Sequence, residues 1–149
     1  MNKSTDSNIL KLGDELCFQL YACAKEIIRL YRKPLEKINL TYTQYIVMMS
    51  LWKHGTMTEK ELGSKLYLDS GTLTPVLKKL EKSGFLKRKR LKEDERSLNI
   101  SLTDSGIKLK EKASSIPEVL NGCISLTYEE ILSMHQMLEK SLEGTKKYR

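Results

Sequence analysis

Apolar residues recur every three or four positions along most of the chain. From about Ile9 to Arg32 they fall on one face, which predicts a long amphipathic helix that Pro34 helps to end. A Thr followed three residues later by Gln or Glu is the pattern of a capping box, and it occurs three times. These boxes start at Thr41, Thr58 and Thr127 and predict helices near Tyr42–Lys53, Glu59–Tyr67 and Tyr128–Leu142.

The middle of the chain changes from helical to alternating spacing. A helix is expected from about Gly71 to Ser83, with Pro75 in its first turn and Gly84 after its end. The stretches FLKRKR and SLNISL flank the charged turn LKEDER, and apolar residues alternate in the second stretch as in a half-buried strand. A further helix is expected from Thr103 to about Ser115. The predicted fold is mainly α with a small β-hairpin, in the order of a winged helix-turn-helix.

Charge and composition narrow the function classes. The 149 residues suit one domain, and the net charge of +7 favours a polyanionic partner. A membrane surface fits poorly, because the basic segment has no apolar face. No apolar run is long enough for a membrane span or a signal peptide, so we expect a cytoplasmic protein whose three cysteines are unpaired thiols. His54 and His135 stand apart, so neither a metal site nor a cofactor is expected.

Candidate DNA contacts lie on the helix that starts near Gly71 and on the hairpin. Between Lys78 and Arg96 there are nine Lys or Arg against four Asp or Glu. Short hydroxyls at a helix start suit phosphate oxygens and base edges in a major groove, although the same residues also serve as ordinary helix caps. The candidates are Ser70, Thr72, Thr74, Lys78, Lys79, Arg88 and Arg90. The predicted partner is double-stranded DNA, bound with strong salt dependence.

The stretch LYLDSGTLTPVLKKLEKSGFLKRKRLKEDERSLNISLTDSG resembles the DNA-binding lobe of MarR-family regulators. The resemblance implies that Arg96 enters the minor groove and that Asp94 holds it by a salt bridge. It also implies a homodimer on a pseudo-palindromic operator. Within a single domain, 1–149, residues of about 8–40 and 104–145 would form dimerisation helices, and about 41–103 the DNA-binding lobe.

The run LCFQLYACAKEIIRLYRKPLEKINLTYTQY is similar to the organic hydroperoxide resistance regulators within that family. The resemblance implies that Cys17 reacts with peroxide and that Tyr31 and Tyr42 hydrogen-bond it; Tyr21, one turn after Cys17, is a further candidate or a simple packing residue. Cys17 and Tyr31 are 14 residues apart on one predicted helix, about 21 Å along its axis, so they can meet only across a dimer.

Two further cysteines have different expectations. Some members of the group resolve the oxidised thiol with a second cysteine near the C-terminus, which points to Cys123; a small cellular thiol is the alternative. Cys23 lies six residues after Cys17 on another side of the helix, and we interpret it as a packing residue.

The expected function is a repressor that leaves its operator when an organic hydroperoxide oxidises Cys17. One alternative is a MarR-type regulator released by a small phenolic or acidic ligand. A second alternative, a thiol-dependent peroxidase, has little support, since the sequence lacks Cys-x-x-Cys and a nucleotide-binding glycine pattern. The chain is therefore not expected to be an enzyme.

Overall fold

The computed structural model describes residues 3–90, 97–120, 123 and 125–148. The chain forms two compact units, Met1–Val119 and Leu120–Arg149, and each is described by itself. The structure is mostly helical with a small antiparallel sheet, as predicted. The first unit contains α1 (Lys3–Glu36), α2 (Tyr42–His54), β1 (Met57–Thr58), α3 (Glu59–Leu66), α4 (Ser70–Lys82), β2 (Leu86–Arg90), β3 (Leu98–Leu102) and α5 (Asp104–Ala113).

The first helix extends beyond its predicted end near Arg32 and includes Pro34. Helix α1 continues to Glu36, and Asn39 behind it adopts a left-handed conformation with φ 56°. The amide of Leu40 donates to the carbonyl of Leu35 and the amide of Asn39 to that of Glu36, which is the hydrogen-bond pattern of a Schellman motif. Leu35 and Leu40 are both buried at this corner. The helix therefore ends at a left-handed asparagine.

All three predicted capping boxes are present, with the hydroxyls of Thr41, Thr58 and Thr127 each accepting from the third helical amide. Thr103 caps α5 in the same way through the amide of Gly106. These caps satisfy backbone donors that a helix start leaves without partners.

Helices α3 and α4 form a helix-turn-helix pair. Tyr67 ends α3 in a left-handed conformation with φ 56°, and the amide of Leu68 donates to the carbonyl of Gly63 at 3.0 Å. A Cβ at Gly63 would lie 2.8 Å from the carbonyl oxygen of Leu68. Glycine at this position therefore allows the turn to fold back closely onto α3.

Helix α4 begins earlier than predicted, because Asp69 serves as its N-cap and accepts from the amide of Thr72. Pro75 is consequently the sixth residue of the helix and not part of its first turn. A proline there leaves the carbonyl of Gly71 without its helical donor.

The predicted hairpin is part of a three-stranded antiparallel sheet in the order β1-β3-β2. Strand β2 pairs with β3 from Leu86 opposite Leu102 to Arg90 opposite Leu98. The additional strand β1 has two residues, and Met57 pairs with Ile100. Strand β2 is therefore an edge strand, and β3 is the central one.

The core of the first unit lies between α2, α3, α4 and the sheet. Its fully buried side chains come from every one of these elements, which fixes the helix-turn-helix pair to the base of the hairpin. They include Met48, Leu51, Leu62, Leu73, Leu77, Leu80, Leu86 and Ile100.

Residues Ile116–Leu120 form a 3-10 helix where the two units join along the chain. The second unit contains α6 (Tyr128–Thr145) and a 3-10 turn, Lys146–Tyr148. Neither of these two elements has a buried residue. Among the described residues, no helix is both long and apolar enough to cross a membrane.

Candidate DNA-binding surface and thiol site

The start of α4 is more strongly bonded than the sequence suggested. The carboxylate of Asp69 accepts from both the amide and the hydroxyl of Thr72, at 2.9 and 3.0 Å. These bonds lower the pKa of Asp69, so it is ionised at neutral pH. The hydroxyl of Thr74 donates to the carboxylate of Glu59 on α3, whereas Ser70 is exposed as the first helical residue. The two threonine hydroxyls thus have intramolecular acceptors.

The predicted cations fall into two groups. Lys78 and Lys79 on α4 and Arg90 at the end of β2 are exposed. Arg88 is mostly buried, because its guanidinium pairs with the carboxylate of Glu81 at 2.8 Å. Arg88 is therefore held against α4, while the other three side chains extend into solvent.

The hairpin of β2 and β3, residues 86–102, is the wing of this fold. The remaining predicted DNA contacts on the wing are Asp94 and Arg96. Both residues lie outside the described part of the chain, in the segment that joins β2 to β3. Their assigned roles stay predictions.

Cys17 and Tyr31 lie on the same uninterrupted helix, α1. Cys17 is exposed in its first half, and Tyr31 is buried near its end. Their separation of 14 residues corresponds to about 21 Å along the axis. Within one chain the thiol and this phenol are therefore far apart.

The other two thiols are exposed as well. Cys23 makes no buried contact within this chain, so the predicted packing role is not seen there. Cys123 belongs to the second unit. Exposure leaves each of the three thiols accessible to a solute in the single chain.

Tyr31 and Tyr42 pack together, with ring centroids 5.3 Å apart in an edge arrangement. Tyr45 joins them at 6.1 Å from Tyr31, and Trp52 follows at 6.4 Å from Tyr45. The indole N–H of Trp52 donates to the carbonyl of Gly106 in α5 at 2.8 Å. The four rings form a continuous aromatic cluster from the end of α1 along α2 to α5.

Burial raises the pKa of Tyr31, and the neighbouring phenol of Tyr42 raises it further. Burial also raises the pKa of Tyr42 and Tyr45. All three phenols are therefore protonated at neutral pH and can donate a hydrogen bond to an anion. Tyr21 is 63% exposed, with the Lys25 ammonium 5.9 Å from its ring centre, and lies outside the cluster.

Two helices present wide apolar surfaces to solvent. On α1 the exposed side chains surround Cys17 and continue toward Tyr31, and they are Leu16, Phe18, Leu20, Tyr21, Ile28 and Leu30. On α6 they are Tyr128, Ile131, Leu132, Met134, Met137, Leu138 and Leu142. So many large apolar side chains exposed on one helix are typical of an interaction site.

Four residues of these two sites were not predicted from the sequence: Asp69, Glu81, Tyr45 and Trp52. Asp69 precedes Thr72 by three residues, which is a readable N-cap signal. Tyr45 follows Tyr42 by three residues, a spacing that places both on one helix face. The pairing of Glu81 with Arg88 crosses a turn and has no comparable local signal. Among the described residues, no group of three or more His, Cys, Asp or Glu is arranged to hold a metal ion.

A helix-turn-helix pair followed by an antiparallel basic hairpin defines the chain as a winged helix-turn-helix protein. Residues 29–113 match the family model described as transcriptional regulator SarA/Rot. The organic hydroperoxide resistance transcriptional regulator of Bacillus subtilis (strain 168) is 47% identical over 90% of this chain and 91% of its own length. SarZ of Staphylococcus haemolyticus is 49% identical, over 80% and 81% of the two chains.

The solved structures include reduced AbfR bound to DNA, at 34% identity and a TM-score of 0.79 over 95% of this chain and 98% of that one. AbfR, from Staphylococcus epidermidis, has also been solved overoxidised on DNA and in a disulfide form, with TM-scores of 0.77 and 0.65. The chain belongs to the MarR family of transcriptional regulators, in the group of the organic hydroperoxide resistance regulators.

Proposed function

We propose that the chain is a dimeric repressor that binds operator DNA and releases it when an organic hydroperoxide oxidises Cys17. One observation carries the sensing half of this proposal. Cys17 is exposed on the same helix that buries Tyr31 against Tyr42. The resemblance to the organic hydroperoxide resistance regulators implies peroxide chemistry at this thiol. The helix length keeps the thiol and the phenols apart within one chain, so a second copy has to bring them together.

The exposed cations of α4 and β2 support DNA binding. Lys78, Lys79, Lys87, Lys89 and Arg90 are exposed, and they lie on the two elements that a winged helix directs toward a duplex. If each of these five cations contacts one phosphate in both subunits, the dimer makes about ten phosphate contacts. A plot of log affinity against log salt concentration then has a slope of about −9. Reduced AbfR, a structural relative, was itself solved on DNA.

The exposed apolar faces of α1 and α6 support dimerisation. Leu16 is 53% exposed, Phe18 69% and Met137 63%, values that are unfavourable for a single chain in water. A two-fold dimer that covers these faces buries Cys17 in the same step. Two recognition helices related by the dyad then meet successive major grooves. Light scattering at micromolar concentration should give the mass of a dimer.

The proposed chemistry starts with the Cys17 thiolate, which attacks the terminal oxygen of the hydroperoxide. The S–O bond forms as the O–O bond breaks, the alkoxide leaves and takes up a proton, and the sulfur loses two electrons to become a sulfenic acid. A second thiol then attacks that sulfur, and an S–S bond forms with release of water. The protonated phenols of Tyr31 and Tyr42 serve as hydrogen-bond donors to the anionic sulfur or oxygen.

We assign operator release to the disulfide form. AbfR has been solved on DNA both reduced and overoxidised, and separately in a disulfide form. A bulky second group on the sulfur, or a covalent link between subunits, changes the interface more than added oxygen atoms do. The second thiol is Cys123 of the other subunit or a small cellular thiol.

Replacement of the sensing thiol tests the proposal. A duplex selected from a random library is bound by reduced protein and then treated with one equivalent of cumene hydroperoxide and free cysteine. We expect wild type to dissociate and Cys17→Ser to stay bound, because a hydroxyl does not attack the peroxide. Cys23→Ser, the matched control six residues away on the same helix, should behave as wild type. Release of the Cys17→Ser protein would refute sensing at this residue.

A non-reducing gel identifies the resolving thiol. A dimer-sized band after treatment with peroxide alone, lost in Cys123→Ser, assigns the role to Cys123. Release that needs added cysteine and gives no such band assigns it to the small thiol. Repeated consumption of peroxide with a reductant, in the absence of DNA, would instead indicate a peroxidase.

A groove supports ligand-controlled release as a second candidate. Its volume is about 430 Å³, and it lies between α2 and the segment from α5 to the following 3-10 helix. Tyr45, Met49 and Trp52 supply apolar walls, and Lys53 and Lys110 supply positive charge. A small phenolic acid fits this chemistry. Salicylate that releases DNA equally from wild type and Cys17→Ser would favour this candidate.

A further inference from the structure

The ion pair between Glu81 and Arg88 joins the recognition helix α4 to the first strand of the wing. The Glu81 carboxylate accepts two hydrogen bonds from Arg88, from the backbone amide at 2.9 Å and from Nε at 2.8 Å. Nη2 of the same guanidinium lies 2.8 Å from Oε2 of Glu81 and completes an ion pair. The Arg88 side chain is 20% exposed and that of Glu81 36%. These bonds lower the pKa of Glu81, so the carboxylate is ionised at neutral pH.

The hydrogen bond from the Arg88 amide to Glu81 matters because β2 is an edge strand. Arg88 has a single N–H, and because Glu81 takes it, this amide is directed away from β3 and to the outer side of β2. An outward amide of an edge strand has no neighbouring strand to bond. Glu81 thus binds both the backbone and the side chain of one wing residue, which fixes the position and the rotation of β2 relative to α4.

We infer that Glu81 and Arg88 are positioning residues that lock the wing to the recognition helix, and that Arg88 contacts no phosphate. The inference rests on the proposed DNA binding, and it revises the interpretation of Arg88 as a DNA contact. Successive strand residues face opposite sides. Lys87 and Lys89 are exposed on the face opposite Arg88, and in the described part of the chain neither has an ion pair.

The salt dependence of the DNA affinity distinguishes a cation that positions the wing from a cation that contacts a phosphate. A side chain that neutralises a phosphate contributes about 0.9 to the slope of log affinity against log salt, so a dimer that loses two contacts loses about 1.8. A side chain already neutralised by Glu81 contributes nothing to the slope. It changes the affinity only through the position of the wing.

The test measures this slope for Arg88→Met and for Lys89→Met, a matched variant on the neighbouring position of the same strand. We expect Arg88→Met to weaken binding about tenfold, as for the loss of one hydrogen bond to a charged group, with the wild-type slope. Lys89→Met should lower the slope. A slope lowered equally by Arg88→Met, or an affinity unchanged by it, would overturn the inference.

Hydrogen exchange measured without DNA tests the bond between Glu81 and Arg88 independently of DNA binding. Hydrogen exchange of the Arg88 amide, followed by NMR, should be slow in wild type and fast in Glu81→Ala. In Glu81→Gln, which retains an acceptor oxygen without the charge, it should be intermediate. Failure of wild type to bind any duplex refutes the proposed function, whereas equal exchange rates in wild type and Glu81→Ala refute the lock.

Discussion

The packing of α5 against the base of the wing allows no side chain at Gly106. A Cβ built there would overlap the carbonyl oxygen of Phe85, and it would also lie 3.0 Å from the carbonyl carbon of Phe85 and 3.3 Å from Cδ2 of Leu102. The obstacle is backbone, which cannot rotate away as a side chain can. We therefore predict that Gly106→Ala destabilises the protein, although alanine is the better helix former.

The expected magnitude follows from three terms. Replacing glycine by alanine within a helix gains about 1 kcal/mol. Overpacking a tight interior contact costs about 1 to 3 kcal/mol. Moving α5 away also strains two hydrogen bonds, from the amide of Thr103 to Phe85 and from the indole of Trp52 to Gly106, at about 1 kcal/mol each. The net loss in the free energy of unfolding is about 2 to 4 kcal/mol.

Gly144 provides the matched control, because it is also helical and a Cβ there meets nothing within 4 Å. Gly144→Ala should stabilise the protein by up to about 1 kcal/mol. Both variants are compared with wild type by urea denaturation at one protein concentration, since the stability of any protein that self-associates depends on concentration. A Gly106→Ala protein as stable as Gly144→Ala would refute the close contact between α5 and Phe85.

Three further perturbations probe the same unit. Asn39→Ala should cost about 1 to 2 kcal/mol, because φ at this residue is 56°, while Asn39→Gly stays near wild type; equal urea midpoints for the two would contradict the left-handed cap. Trp52→Phe keeps a six-membered aromatic ring but removes the indole N–H that donates to Gly106, which should lower the unfolding free energy by about 1 kcal/mol. Circular dichroism follows unfolding without relying on indole fluorescence, and an unchanged urea midpoint would count against the bond. Hydrogen bonds that their carboxylates accept lower the pKa values of Glu61, Asp69 and Glu81. These carboxylates therefore stabilise the fold above the ordinary pKa range of a carboxyl group, and this contribution is lost as the pH falls through their lower folded pKa values. Asp69→Asn should make the unfolding free energy fall less steeply with decreasing pH, and an unchanged pH dependence would argue against the cap.

Local signals in the sequence were sufficient for most of the helix starts. Thr41, Thr58, Thr103 and Thr127 cap helices in the structure as predicted, because a cap is decided by residues within one turn. The alternation in SLNISL likewise identified β3. The assignment of peroxide chemistry to Cys17 and of hydrogen bonding to Tyr31 and Tyr42 came from family resemblance and stays a prediction. The structure adds that Tyr31 and Tyr42 pack together.

The missed features depend on contacts between distant parts of the chain. Trp52 and Gly106 are 54 residues apart, and no local pattern relates them. Strand β1 has two residues, too few for a visible alternation, and it exists because β3 offers a free side. Pro34 and Pro75 misled the boundary predictions because a proline weakens a helix without always ending it, and neighbouring packing decides the outcome.

The carboxylate on the outer side of β2 also bears on solubility. An edge strand with an unoccupied outward amide is a template on which another chain can add a strand, and sheet-to-sheet association begins in this way. Glu81 occupies such an amide and sets a negative charge beside it. The bond that joins Glu81 to the wing therefore also protects a basic, exposed edge strand from pairing with a strand of another molecule.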